Sequence, residues 1–184
     1  MSLCVQGAWT RQSMAIGGGE GFETQHVYWL QAGPCYADLR VPFHPAAAER
    51  CFAGRSAWEG DDQGRLRWTH RLDLERANPE DVGELAWEGG QLIERGWFGT
   101  DRYEELWVRL DDGRGPFLAA EGRHGCLVQV GCHAITVVDD RAAGGSFAAC
   151  YRICSHSGWE THAAIGDSAN LPSPAAIPAD WRRA

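Results

Sequence analysis

Four stretches of this chain set large aromatic side chains beside single polar groups at alternating positions. They are Trp29 with Gln31, Tyr36 with Asp38 and Arg40, Trp68 with His70, and Tyr103 with Glu105, Trp107 and Arg109. In extended backbone, residues i and i+2 share a face, so each set lies on one side of a strand. If those faces converge in a lumen, they make an apolar-walled pocket with a few orienting polar groups, the usual composition of a small-ligand site. Arg40 or Arg109 would then hold an anionic or polar end of a ligand whose apolar body lies against the indoles. His70 is the titratable base near pH 7 on such a face, and Asp38 and Glu105 are the carboxylates best placed to share a pocket with it. A neutral imidazole beside a carboxylate supports proton transfer without metal or cofactor, with isomerisation, cyclisation, dehydration and hydrolysis as members of the class. The same residues also fit a plainer arrangement. Asp38 with Arg40, or Glu105 with Arg109, would be charge pairs on the outside of a sheet with aromatics covering them. Alternation alone does not choose inside from outside.

The elements that must position these residues are short strands. Strand-length segments fall at roughly 4–16, 25–32, 35–42, 51–58, 65–74, 84–88, 91–97, 102–110, 116–121, 125–130, 133–139, 146–154 and 159–165. Gly17-Gly18-Gly19, Gly33-Pro34, Gly60 to Gly64, Asn78-Pro79, Gly89-Gly90, Asp111-Asp112-Gly113 and Gly144-Gly145 lie between them, the punctuation of hairpins and meanders. So many short strands at regular spacing predict an all-β fold, an antiparallel barrel or a closely related two-sheet structure. Within 65–74, one face carries Trp68, His70, Leu72 and Leu74. One short helix is predicted over Pro45 to Phe52, where a proline precedes good helix formers, and it would suit a barrel mouth. The barrel domain is expected to span 1–166. From 167 to 184 the composition turns to Pro172, Pro174, Pro178 and small residues, an extended tail that docks through Trp181 or stays free.

Composition narrows the chemistry. The chain has 184 residues, a net charge of −8 and nine tryptophans. An indole is a large apolar body with one donor, so several of these must line a core, a pocket or an interface. The acidic balance disfavours nucleic acid and anionic membranes as partners. All seventeen basic side chains are Arg, which excludes a Schiff-base lysine and a P-loop lysine. The glycine run at 17–19 lacks the lysine of a phosphate loop and reads as a hairpin turn. No Gly-x-Ser-x-Gly elbow is present, and Ser155-His156-Ser157 is too local for a triad. No cofactor is expected. No basic, apolar leader or long apolar run appears, so a cytoplasmic protein is expected. The seven cysteines (4, 35, 51, 126, 132, 150 and 154) lack CxxC spacing and read as reduced thiols. Cys126 and Cys132, with His133, or Cys150, Cys154 and His156 could gather around a metal, but buried small thiols fill gaps in the same pattern, and no metal site is assigned. A small-molecule binding module is the leading reading, and an acid/base enzyme working through His70, Asp38 and Glu105 is the alternative. A protein-interaction module is a third, with an exposed aromatic patch around Trp87, Trp97 or Trp181, and a homo-oligomer is compatible with all three.

The runs Trp9-Thr10-Arg11, Val27-Tyr28-Trp29-Leu30-Gln31 and Tyr36-Ala37-Asp38-Leu39-Arg40-Val41-Pro42 carry a resemblance. They are followed in order by Phe52-Ala53-Gly54, Trp68 to Asp73 and Tyr103-Glu104-Glu105-Leu106-Trp107. Together, over about residues 9–110, they resemble a family of uncharacterised bacterial proteins with calycin-like (lipocalin-like) β-barrels, related to the fungal casein-kinase-interacting HRI-type proteins. The resemblance implies a calycin-like barrel and transfers no reaction.

Overall fold

Turn residues cut the chain into strands close to where their spacing predicts. A computed structural model describes residues 4–60, 64–76 and 81–184. Its strands are β1 (Gly7–Ile16), β2 (Gln25–Ala32), β3 (Cys35–Pro42), β4 (Arg50–Trp58), β5 (Arg65–Asp73), β6 (Asp81–Glu88), β7 (Gln91–Phe98) and β8 (Asp101–Arg109). There follow β9 (Phe117–Glu121), β10 (Gly125–Val130), β11 (His133–Asp139), β12 (Phe147–Ser155), β13 (Gly158–Ile165) and the two-residue β14 (Arg182–Arg183). Among the described residues the helical content is one 3₁₀ turn, Arg141–Ala143. The fold is all-β, as the sequence predicts. No helix among the described residues is long and apolar enough to cross a membrane.

Strands β1 to β8 form a closed antiparallel barrel in chain order, and β1 closes it by pairing with β8 from Trp9 opposite Arg109 to Ile16 opposite Tyr103. The barrel is complete by Arg109 and does not run on to residue 166. Strands β9 to β13, with β14 added at one edge, make a separate sheet in the order β13-β12-β11-β10-β9-β14. That sheet packs on the outside of the barrel. Ala8, Ala32, Cys35, Ala37, Cys51 and Ala53 from the barrel meet Ala119, Val128, Ile135, Val137 and Ala149 from the sheet in one buried cluster. Small residues on the barrel side let the two sheets approach, and they bury the outer face of β3 as fully as its inner one. Cys35, Cys51 and Cys126 are part of this packing. Burial pushes the Cys126 thiol up to about 12, so it behaves as an apolar filler. No three His, Cys, Asp or Glu side chains among the described residues are grouped to hold a metal.

Pro45 to Phe52 is not a helix. Residues 45–49 are turn and irregular backbone, and β4 begins at Arg50, because Cys51 and Phe52 are needed on opposite faces of a strand. An eight-residue helix has little intrinsic stability to set against that packing. The common face of Trp68, His70, Leu72 and Leu74 is also interrupted. A bulge lets Gly54 face His70 while Ala53 faces Leu72, leaving Arg71 as the extra residue. Trp68 and His70 point into the barrel, whereas Leu72 and Leu74 pack in the cluster outside it. Arg71 uses its position to donate to the carbonyls of Gly122 and Gly125, tying the barrel to the second sheet at 2.9 and 2.7 Å. The tail lies across that sheet: Thr136 and Arg152 donate to the carbonyl of Pro172, and Trp181 sits against Gly122 and Gly125.

Candidate functional site

The barrel lumen is filled at one end and open at the other. At the filled end Val5, Trp9, Leu66, Leu85 and Leu92 pack together, and the Trp9 indole donates to the Val5 carbonyl at 2.9 Å. Trp29 lies on this plug, with its ring 6.1 Å from that of Trp9. Trp68 and Trp107 stand edge-to-face to Trp29, at 5.8 Å and 76° and at 5.3 Å and 69°. Such T-shaped pairs add to the area they bury and hold the rings in place. Beyond this tryptophan floor lies a cavity of about 400 Å³, within the usual range of small-molecule sites.

Every barrel strand contributes a wall residue: Arg11, Trp29, Asp38, Phe52, His70, Asp81, Glu94 and Glu105, in order from β1 to β8. Alternation explains most of them. On β1 a bulge between Arg11 and Ser13 shifts the phase, so Trp9 and Arg11 face inward and then Met14 and Ile16 do. The mouth carries exposed aromatics, Phe22, Trp97 and Phe98.

The charges in the wall are mostly spent on one another. Arg11 donates to Glu105 at 2.5 Å and to both oxygens of Glu23, at 2.7 and 3.1 Å. Burial opposes ionisation of Glu23, but its bonds with Arg11 outweigh this and hold it below the ordinary value. Arg40 grips both oxygens of Asp38, at 2.8 and 3.2 Å, comes within 3.9 Å of Glu105, and lies over the Phe52 ring. His70 is flat against Phe52 at 4.4 Å, with one ring nitrogen 3.1 Å from Asp73 and the other 2.9 Å from Asp81. Burial would lower its pKa, but the two carboxylates overcome that and raise it, so the ring favours its charged form.

Glu94 is different. Its two oxygens accept from the Tyr103 hydroxyl at 2.9 Å and from the Trp107 indole at 3.0 Å, and no cation among the described residues forms an ion pair with it. Burial, and then the nearby Glu105 and Asp81, push its pKa well above the carboxylate range. Two glycines make room for this arrangement. A Cβ on Gly83 would sit 2.9 Å from Glu94 and 3.0 Å from Trp68, and one on Gly96 would sit 2.5 Å from the Tyr103 hydroxyl oxygen. Two further polar atoms of the wall, Trp29 Nε1 and the Tyr36 hydroxyl, are buried without a partner among the described residues.

Of the residues named from the sequence, Trp29, Tyr36, Asp38, Arg40, Trp68, His70, Tyr103, Glu105 and Trp107 line the cavity. Gln31 and Arg109 do not. Gln31 is at the filled end, donating to the Gly33 carbonyl and the Ser56 hydroxyl. Arg109 lies outside the plug, its guanidinium 4.0 Å over the Trp9 ring and donating to the Gln6 and Gly113 carbonyls. His70 meets Asp73 and Asp81 where Asp38 or Glu105 was expected as its partner. Arg11, Glu94 and Asp81 escaped sequence reasoning. Arg11 could have been found, since it is two residues from Trp9; Glu94, between Ile93 and Arg95, looks like any surface charge.

Comparison with known proteins gives a family and a fold. The family model described as Protein HRI1 matches residues 8–182. No curated protein sequence matches the chain. Among solved structures, the crystal structure of uncharacterized protein YLR301w from Saccharomyces cerevisiae is similar, with a TM-score of 0.72 and 16% identity. The likeness covers 91% of this chain and 89% of that one, and at such identity it is a likeness of fold.

Proposed function

The chain belongs to the Protein HRI1 family, and from the cavity its barrel encloses we propose that it binds a small molecule in the lumen. One observation carries this reading: the barrel keeps a lumen of about 400 Å³ above Trp29, Trp68 and Trp107, lined by aromatic rings and by polar groups such as Glu94 and Tyr103. A barrel of this size that served only as a scaffold would fill that space with side chains. The tryptophan floor supplies the apolar contact, and the open mouth supplies a route in. Calycin-like barrels, which the sequence resembles, offer the same kind of lumen. Trp29, Trp68 and Trp107 are the reporters: a ligand in the cavity changes their fluorescence and raises the melting temperature. A broad library of apolar amines, alcohols and carboxylates that produces neither effect contradicts the proposal.

A second reading is favoured by one specific feature, a carboxyl of raised pKa, Glu94, close to a second carboxyl, Glu105, in the same cavity. Environments that push two acids apart are how one site holds both a proton donor and an acceptor. In that reading the barrel is a cofactor-independent acid/base enzyme. Glu94 gives the proton, and the paired state of His70 leaves no ring nitrogen free to act as base. Glu94→Gln that retains full turnover of a substrate found by screening excludes it.

A further inference from the structure

The charge arrangement of the cavity says more about the ligand than its shape does. Each basic side chain of the wall already holds a carboxylate. Arg11 is bound to Glu23 and Glu105, Arg40 to Asp38, His70 to Asp73 and Asp81, and Arg50, at the rim, to Glu75. An anionic ligand would have to pull one of these away from its partner and leave that carboxylate buried and unpaired, which is strongly unfavourable. Among the lining carboxyl groups Glu94 is the one without an ion-pair partner among the described residues. Each of its oxygens has accepted one hydrogen bond and has capacity for another. Beside it stand Trp68 and Trp107, the latter with its indole N–H edge on the carboxyl, so the apolar body of a ligand held at Glu94 meets aromatic rings.

We infer that the polar end of the ligand is an organic cation bearing N–H donors, an amine or amidine, that docks on Glu94 between Trp68 and Trp107. This rests on the reading of the lumen as a binding site and names the class of molecule it takes. It also replaces the sequence-based expectation of an anionic end held by Arg40 or Arg109.

A proton moves when the cation arrives. Without ligand, burial and the approach of Glu105 and Asp81 favour the neutral form of Glu94. The groups around it are Asp81 from β6, Tyr103 and Glu105 from β8, Arg40 with Asp38 from β3, His70 from β5 and Arg11 from β1. An ammonium ion supplies the missing positive charge, so the Glu94 carboxyl gives its proton to solvent and becomes the carboxylate of an ion pair. Charge and protons balance: a neutral acid and a cation become an ion pair and one released proton. Affinity therefore rises with pH, about tenfold per pH unit between the value Glu94 has in the complex and the value it has in the free protein.

The experiment uses two matched sets of probes, 2-phenylethylamine, 2-phenylethanol and 3-phenylpropanoate, and octylamine, octanol and octanoate. Each is titrated into the unmodified protein by calorimetry, in buffers of different ionisation heat, with tryptophan fluorescence read in parallel. The expected result is that the amine of at least one set binds at least tenfold more tightly than its alcohol and its acid, with release of close to one proton. Glu94→Gln should bring the amine within a few-fold of the alcohol and abolish the proton release. An alcohol or acid that binds as tightly as the amine, or an amine that binds without releasing a proton, overturns the cation while lumen binding stands. If none of the six binds, lumen binding itself is contradicted and the cation falls with it. Should Glu94→Gln fail to fold, the rank order and proton count in the unmodified protein decide the matter.

Discussion

Replacing Glu94 by Gln separates the ionisation of this carboxyl from its packing. The amide fits the same hydrogen bonds, its oxygen accepting from Trp107 and its nitrogen donating to the Tyr103 oxygen. In the folded protein burial, then Glu105 and Asp81, hold Glu94 well above its ordinary value of 4.5. The folded state therefore keeps a proton that the unfolded chain gives up once the pH passes about 4.5. Below that pH, position 94 is neutral in both states and the stability difference between wild type and variant is flat. Above it the wild type loses stability relative to the variant until the folded value is reached. One proton corresponds to about 1.4 kcal/mol for each pH unit between 4.5 and the folded value, which for a chain of this length is roughly 3–6 °C in melting temperature per unit. Urea denaturation of both proteins, followed by tryptophan fluorescence at half-unit steps from pH 4 to 8, measures the difference directly. A difference that does not change anywhere between pH 4 and 8, or that moves in the opposite direction, refutes the placement of an unpaired, buried carboxyl at position 94.

Other consequences follow from the same geometry. Gly83→Ala forces a methyl group against Glu94 and Trp68. It should cost about 1–3 kcal/mol in chemical denaturation, and no loss would show that the wall is looser than described. Trp29→Phe removes an indole N–H that has no partner, so stability should change by less than about 1.5 kcal/mol while ligand affinity falls; a fall in stability with unchanged affinity contradicts it. His70 has a raised pKa, so its pairing with Asp73 and Asp81 stabilises fully below about pH 6.5 and is lost as the pH rises through its folded value. The stability gap between wild type and His70→Phe should shrink over that rise, and a gap constant from pH 6 to 9 would exclude the charged pair. Trp181→Ala removes the anchor against Gly122 and Gly125. It should cost about 1–2 kcal/mol and speed proteolysis within residues 167–180, and an unchanged cleavage rate would show that the tail is held elsewhere.

The strands were legible because two signals coincide: alternation of side chains, and glycine or proline between the runs. The segments 25–32, 35–42, 125–130 and 133–139 are strands with those bounds. The side of each strand that faces the lumen was not legible from alternation. In β3 both Tyr36, Asp38 and Cys35, Ala37, Leu39 are buried, one set in the cavity wall and the other under the second sheet. The useful clue is size. The outer set belongs to a stripe of Ala and Cys that suits close sheet packing, and the inner one has the larger aromatic and charged groups. The sequence reading also treated β9 to β13 as more of the barrel, since strands that close a barrel and strands that cover it share the same period. Bulges explain two other gaps. Alternation cannot anticipate an extra residue such as Arg71, and so it carried Leu72 and Leu74 to the wrong face. Arg109 has the right face but lies beyond the plug, because the depth of a side chain depends on strand stagger around the barrel. Pro45 to Phe52 has helical propensity, yet the strand pairing of Arg50 to Phe52 with β3 prevails.

In the proposed function a small molecule enters the barrel and rests on Trp29, Trp68 and Trp107. The most direct test is a tryptophan-fluorescence titration with the mixed library of amines, alcohols and carboxylates, run in parallel on the wild type and on a folded Met14→Phe/Ile16→Phe variant. Both positions line the lumen, so the larger side chains narrow it. A saturable response in the wild type that is weakened or lost in the double variant is the predicted result. No response in the wild type, or an equal response in both proteins, contradicts it.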